Sequence, residues 1–310
     1  MNDITHSIMF HHFHDERHLP AQGSLSSSDF IKMIDWLNNH YSILNASQYK
    51  ENFERGTLKN TDICLSFDDA LKCQYDIALP VMERLGIQAF FFIYTSIFTE
   101  ETNYLEIFRL FRTSSYTHLD DFYEEFFSVL TEQNKDEVES CKATYSNLDY
   151  LSDCPFYSEN DKWFRYLRDN YCSVNQYRLI MFEMMKQKKF DIEHAKTVLW
   201  MNENEVKNLY EKGHTIGLHS HSHPTQMSKM CKSDQRKEYT TNQKFLSRII
   251  CDEVNTVSYP CGSYNQDTLE VLSEIGIKIG FRASMEVCEI KSPLEIPRED
   301  HAVVFAEMQI

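Results

Sequence analysis

Ile63-Cys64-Leu65-Ser66-Phe67-Asp68-Asp69-Ala70 decides how this chain folds. An apolar run of strand length ends abruptly in two adjacent carboxylates. The next segment, Ile77 to Leu85, has helical spacing and stops at Gly86, a residue type that commonly follows a helix. Ala89 to Tyr94 is then a second, strongly apolar strand. Strand, helix, strand in that order predicts parallel pairing, because a crossover helix returns the chain to the starting end of the sheet. In such α/β folds the chemistry collects where strands end at their carboxyl side. Asp68 and Asp69 stand at such an end.

Working outward, Ser7-Ile8-Met9-Phe10 is a short apolar run that ends in His11-His12, and Ser28 to Asn38 has helical spacing. The alternation resumes near residue 196. It gives a helix over Glu203–Lys212 closed by Gly213, a strand over His214–Leu218 and a helix over Gln235–Ile250. A strand over Thr256–Tyr259, a helix over Gln266–Glu274 and a strand over Lys278–Phe281 complete it. His11, Asp68-Asp69, His219 to His223 and Tyr259-Pro260-Cys261-Gly262 all fall just past strand ends. Four strand ends therefore point polar or special residues toward one rim.

Residues 99–195 read differently. Glycine disappears, Phe, Tyr, Leu, Glu and Lys dominate, and Asp121–Leu130 and Phe182–Lys189 are helical in pattern. The expected organisation is a split α/β domain, 1–98 and 196–310, with a mostly helical insertion at 99–195. The insertion leaves from the rim end of the Ala89–Tyr94 strand, so it is expected to wall one side of the pocket and to limit access to small ligands or chain ends. Its aromatic residues suit stacking on the flat face of a ligand or docking to another subunit.

Composition sets outer limits. The chain has 310 residues, 42% hydrophobic and 25% charged, ordinary for a globular protein with a sizeable core. A formal net charge of −16 argues against nucleic acid or an anionic membrane surface as partner, since both need a basic face. No apolar stretch approaches the roughly 20 residues of a membrane span. Met1 to His6 shows no positive region followed by an apolar one, so no secretory signal is visible. The nine cysteines, at 64, 73, 141, 154, 172, 231, 251, 261 and 288, include no Cys-x-x-Cys pair. Free thiols in a reducing cytoplasm are the expectation. The oligomeric state is not legible.

Asp68-Asp69 alone often means a cap on the following turn. Adjacent residues at a strand end point in different directions, however, so one carboxylate can face a metal and the other the substrate. His219 and His223 are four apart; in a turn of helix that spacing puts two imidazoles on one face, within reach of one ion. His221 between them is expected to point elsewhere. Together these residues supply an oxygen ligand, two nitrogen ligands and a spare carboxylate.

These motifs together carry a family resemblance. Phe67-Asp68-Asp69 with His219-Ser220-His221-Ser222-His223-Pro224 resembles the polysaccharide deacetylases of the NodB-homology type, carbohydrate esterase family 4. Ser258-Tyr259-Pro260-Cys261-Gly262-Ser263-Tyr264-Asn265 looks like the family's third motif. Leu85 to Phe92 looks like its next strand, and Lys212 to Gly217 like the approach to its histidines. The resemblance covers 1–98 and 196–310. It implies a distorted, incomplete (β/α) barrel. Asp69, His219 and His223 would be the metal ligands, with zinc the best fit and cobalt, manganese or nickel also suited. Asp68 would be the base, and the backbone N–H of Cys261 would help hold an oxyanion. The usual late Leu-x-His acid is absent, and Phe10-His11-His12 looks like the variant with that segment at the front, which makes His11 the acid and His12 the second choice.

The departures are specific. Ala70 stands in place of a glycine, Cys261 in place of a tyrosine, and Ser258 where many members carry an arginine that orients the base; Arg298 is the candidate to take that role. The expected activity is a metal-dependent removal of an N-acetyl group from an amino sugar, in an intracellular glycan precursor or saccharide, by metal-activated water. Two alternatives stand beside it: an amide hydrolase on a non-sugar substrate, and a non-catalytic glycan-binding protein on the same scaffold.

Overall fold

The computed structural model describes residues 4–99, 101, 103–151, 158–286 and 289–308. The start of the chain and Cys154 and Cys288, on which sequence expectations were placed, lie outside them. The chain divides into two compact units, Met1–Asn103 with Thr197–Ile310, and Tyr104–Lys196. No helix of the described residues is long and apolar enough to cross a membrane.

The first unit is built on eight parallel strands: β1 (His6–Phe10), β2 (Ser42–Ile43), β3 (Asp62–Asp68), β4 (Phe90–Ile93), β5 (Thr215–Leu218), β6 (Thr256–Ser258), β7 (Ile279–Phe281) and β8 (Arg298–Asp300). Seven run in the order β7-β6-β5-β4-β3-β1-β8, with β2 beside the start of β3. The sheet nearly closes into a barrel. The segment entering β8 stitches to β7, with Ile296 N donating to Gly280 O (2.9 Å) and Arg282 N to Ile296 O (2.8 Å), while β8 itself pairs with β1. The last strand therefore bridges both edges of the sheet.

Alternation along the strands builds two apolar layers. Cys64, Phe90, Phe92, Ile279, Phe281 and Ile296 form one buried cluster with Ala46 and Tyr49 of the Ala46–Glu54 helix. The intervening residues face the other way: the Phe67 ring stacks on Phe91 at 4.8 Å and on Phe10 at 5.2 Å, and Phe30 closes edge-on against Phe10. Each fully buried phenylalanine contributes about 1.5–3 kcal/mol. Phe30 belongs to the Ser27–His40 helix, which the Ser26 hydroxyl caps by accepting from Asp29 N. Its Phe30, Met33, Ile34 and Leu37 make the buried stripe at helical spacing. Gly86 ends the Leu79–Leu85 helix at φ 69°, the left-handed turn expected of it. Gly217 is required by space: a Cβ there would lie 2.5 Å from the Phe92 ring.

In the first unit, two strands and two α-helices were not read from the sequence: β2, the Ala46–Glu54 helix, β8 and the His301–Glu307 helix. β8 is the instructive miss. Arg-Glu-Asp carries no strand signal, because its inward residue is a site residue rather than a core residue.

The second unit is helical, with helices at Leu105–Ser114, Leu119–Tyr145 with a break at Asn134, Glu159–Tyr166 continued by a π-turn Leu167–Tyr171, Val174–Gln187, and the start of Ile192–Leu199. It packs on aromatic rings, Phe164 lying 5.3 Å from Phe122 and 5.0 Å from Phe126. The Leu119–Tyr145 helix runs further at both ends than the Asp121–Leu130 span suggested, and the Val174–Gln187 helix starts eight residues before Phe182 and ends two before Lys189, its buried Ile180 and Met181 lying ahead of the expected span.

Candidate active site

β3 ends at Asp68, and the next two residues turn sharply with positive φ, Asp69 at 75° and Ala70 at 54°. An L-residue pays about 1–2 kcal/mol for that conformation. The same feature recurs around the rim at Ser220 (62°), His223 (55°) and Cys261 (51°). Strain of this kind persists only where the surroundings over-determine it, and it gathers at functional sites.

The turn sends the two carboxylates to different partners. Asp69 Oδ1 lies 3.1 Å from His223 Nε2 and 3.4 Å from His219 Nε2. These three buried groups are the one cluster among the described residues whose donor atoms could share an ion, all lying within 4.8 Å of one another. The histidines do not converge through a helical turn, as the spacing suggested. The segment is a loop, and left-handed kinks at Ser220 and His223 swing the second ring back toward the first. His221 points away, with Nδ1 2.9 Å from Thr95 Oγ1.

Asp68 faces Arg298. Arg298 Nη1 donates to Oδ1 and Nη2 to Oδ2, both at 2.8 Å, and both side chains are buried. Such a two-point fork fixes the carboxylate plane as well as its charge. Ser258 Oγ adds a third donor to Oδ1 at 3.2 Å. Oδ2 keeps the opener aspect: His219 Nε2 stands 3.9 Å from it and His11 Nε2 4.0 Å. His11, at the end of β1, is 27% exposed, so it can meet a substrate. The His12 ring lies 6.4 Å from that of His11.

Electrostatics separates the groups. Burial works to raise the Asp68 carboxyl, but the Arg298 guanidinium, aided by His219, outweighs it and holds Asp68 below the ordinary carboxylate range. Burial likewise opposes ionisation of Asp69, and His223 and His219 overcome it and hold Asp69 well below that range. For His11 burial wins, lowering its pKa despite the pull of Asp69 and Asp68. Both carboxylates are thus charged at neutral pH.

Three polar residues, the buried Gln74 and Asn242 and the half-buried Glu238, position the site and were not singled out from the sequence. Gln74 Nε2 donates to His11 O (2.9 Å) and Asp68 O (2.6 Å), tying the ends of β1 and β3 together. Asn242 Oδ1 accepts from His219 N (3.0 Å), while its Nδ2 donates to Ile93 O. Glu238, one turn earlier on the Lys232–Ile250 helix, accepts from the backbone N–H of His221 and Ser222. The signal was there: Gln235 and Asn242 are polar residues on that helix's buried stripe. Cys261 is exposed, in the 3₁₀ turn Pro260–Gly262 just past β6.

Comparison with known proteins finds deacetylases. The family model for polysaccharide deacetylase matches residues 177–280. The poly-β-1,6-N-acetyl-D-glucosamine N-deacetylase of Staphylococcus aureus is 22% identical over 262 residues, 83% of this chain. The chain spans 60% of the length of that relative. A putative polysaccharide deacetylase of Bacillus subtilis, YxkH, is 24% identical over 80 residues, 26% of this chain and 28% of its own. Among solved structures, IcaB from Ammonifex degensii superposes with a TM-score of 0.57 at 12% identity, over 96% of this chain and 91% of that one. The Streptococcus pyogenes deacetylase PplD, solved with acetate, gives 0.55 at 13% identity over the same shares. At these identities the structural likeness speaks for the fold.

Proposed function

Because this chain belongs to the polysaccharide deacetylase family of the NodB-homology type, we propose that it hydrolyses the N-acetyl group of an amino sugar. The observation that carries the reading is the cluster of Asp69, His219 and His223 beside an Asp68 locked by Arg298.

The donor set fits a divalent cation. Asp69 Oδ1 is buried, accepts no regular hydrogen bond and is faced by two imidazole nitrogens. His219 Nδ1 is engaged by Ser258, which leaves Nε2 to ligate. One carboxylate and two imidazoles with an open position suit zinc, and cobalt, manganese or nickel would also be accepted. When bound, the cation would polarise the amide carbonyl and acidify a water.

The chain's own groups supply the rest. Asp68 Oδ2 is the base that takes a proton from the attacking water. Oδ1 is saturated by Arg298 and Ser258, so Oδ2 is the oxygen left to accept it. His11 Nε2, 4.0 Å away, receives that proton and passes it to the leaving nitrogen. This order suits an imidazole whose pKa is lowered, since it starts neutral. The Cys261 N–H helps hold the developing oxyanion.

The substrate class is an N-acetylated hexosamine. The name of the S. aureus relatives makes β-1,6-linked N-acetylglucosamine oligomers the first to test, and nucleotide- or lipid-linked precursors the second. The compartment we propose is the cytoplasm, supported by seven free thiols among the described residues. The test measures acetate release from both substrate sets, with metal content determined in parallel. Wild type should release acetate, and His219→Ala should lose both metal and activity. Full metal occupancy in His219→Ala, or release only from non-sugar acetamides, would overturn the reading.

A further inference from the structure

The helical unit gathers four arginines around one aromatic cluster, and three of them are paired. Arg109 reaches Glu106 (3.6 Å), Arg165 bonds Asp161 (2.7 Å) and Arg168 grips Asp169 with two bonds (2.6 and 2.8 Å). Arg112, half-buried on the Leu105–Ser114 helix, makes no hydrogen bond or ion pair among the described residues. Its guanidinium carbon lies 5.7 Å from the centre of the Phe122 ring and 5.6 Å from that of Phe164, both rings fully buried. Ring contacts satisfy the charge over the guanidinium face. Its five N–H donors lie in the guanidinium plane and want acceptors along the edge. Burial pushes the Arg112 pKa down from its ordinary range, and the like charges of Arg109 and Arg165 push the same way. A guanidinium stays charged even so. An unpaired charge in such surroundings costs stability, and departures of that kind collect at functional sites.

Tyr177, on the Val174–Gln187 helix, stands beside the same gap. Its ring centre is 6.2 Å from that of Phe164, and its hydroxyl has no hydrogen-bond partner among the described residues. Burial raises the pKa of that hydroxyl, and the nearby Arg112 and Arg168 guanidiniums draw it back. Arg168 lies in the π-turn Leu167–Tyr171, its guanidinium carbon 5.9 Å from the Phe164 ring centre. Turns of that type are rare and recur at functional sites.

We propose that Arg112, Tyr177 and Arg168 form an oxyanion site for a phosphate group. Arg112 and Tyr177 supply the free donors, and Arg168 adds charge. A planar carboxylate meets one fork from one direction, whereas a tetrahedral phosphate accepts from several, as donors on three separate elements require. The site lies within the helical unit and is independent of the deacetylase reading. It gives the insertion a ligand of its own in a chain whose net charge of −16 otherwise repels anions.

Isothermal titration calorimetry of the full chain with inorganic phosphate tests this, on wild type, Arg112→Met, Arg112→Lys and Tyr177→Phe. Wild type should bind phosphate. Arg112→Met should lose about 10–100-fold in affinity, the worth of a charged hydrogen-bonding partner. Arg112→Lys, which keeps the charge without the planar fork, should fold as wild type does and bind with intermediate affinity. Tyr177→Phe should weaken binding less than Arg112→Met. Phosphate should also raise the thermal unfolding midpoint of wild type and leave that of Arg112→Met unmoved. A nucleotide sugar, UDP-N-acetylglucosamine, separates the sources of the group. Binding through Arg112 that is tighter than phosphate assigns it to a nucleotide-linked ligand, and binding no tighter assigns it to the free ion. No phosphate binding in wild type, affinity unchanged in both Arg112 variants, or acetate bound through Arg112 as tightly as phosphate would overturn the proposal.

Discussion

Replacing Arg298 by methionine should expose how much the site depends on one buried ion pair. The guanidinium makes two 2.8 Å bonds to Asp68, and the side chains are 0% and 3% exposed. Removing one partner leaves a charge in a place where water cannot reach it, which costs about 3–5 kcal/mol. That is a large share of the roughly 5–15 kcal/mol that holds a typical domain. Asp68→Asn should cost a similar amount by stranding the guanidinium. The double variant carries neither charge, so its loss should be smaller than the sum by at least about 2 kcal/mol. The sign with pH follows from the depressed Asp68 pKa. Its contribution is fully present above the unfolded carboxylate value near 3.9 and is lost as pH falls through the folded value. The gap between wild type and Arg298→Met should therefore narrow on acidification. Urea unfolding of metal-free protein, followed by circular dichroism and tryptophan fluorescence together, measures these differences. Single-variant losses that add to within about 0.5 kcal/mol would refute the coupling.

Three further outcomes follow from other sites. His214, buried with Nδ1 accepting from Ala89 N, has its pKa lowered by burial to about 4. Between pH 6.5 and 4 the unfolded chain binds a proton that the folded one refuses, so acidification should cost about 3 kcal/mol at ~1.36 per unit. Urea midpoints at pH 7.5 and 4.5 should show that slope in wild type and lose it in His214→Asn. Gly217→Ala drives a Cβ to 2.5 Å from the Phe92 ring and should cost about 1–3 kcal/mol, read as a lower unfolding midpoint. Gln74→Met keeps the volume but frees the β1 and β3 ends from each other; kcat on an N-acetyl hexosamine should fall by up to about 10²-fold while KM holds. An unchanged kcat would make Gln74 structural only.

The strand ends that carry Asp68, His219 and Cys261 were legible because each follows a short apolar run bounded by turn residues. The helix ends at Gly86 and Gly213 were legible for the same local reason. What the sequence concealed is what lies far apart in it and close in space. Arg298 was a candidate partner for the base only through the family resemblance; the strand that brings it to Asp68, β8, went unread, because its charged residues look like a surface loop until β1 is seen beside it. Gln74, Asn242 and Glu238 act through main-chain atoms of other segments, and no spacing rule reports a partner's backbone. The His219–His223 pair was identified for a reason that does not hold. The four-residue separation works here through two left-handed residues, and φ at Ser220 and His223 is not encoded by either side chain.

The closing of the barrel by its last strand also has a consequence in time. Asp68 and its guanidinium partner are 230 positions apart in the chain. At a synthesis rate of about 5–20 residues per second, roughly 10–50 seconds separate the appearance of the carboxylate from that of the arginine that balances it. Through that interval β1 and β3 can pair, but their shared end holds a negative charge with nothing to meet it, and the sheet has an open edge where β8 will dock. The nascent protein must therefore keep its future centre wet, and dries it only when residue 298 arrives. Chain closure and active-site assembly are one late event, so any ribosomal product that stops before β8 lacks both.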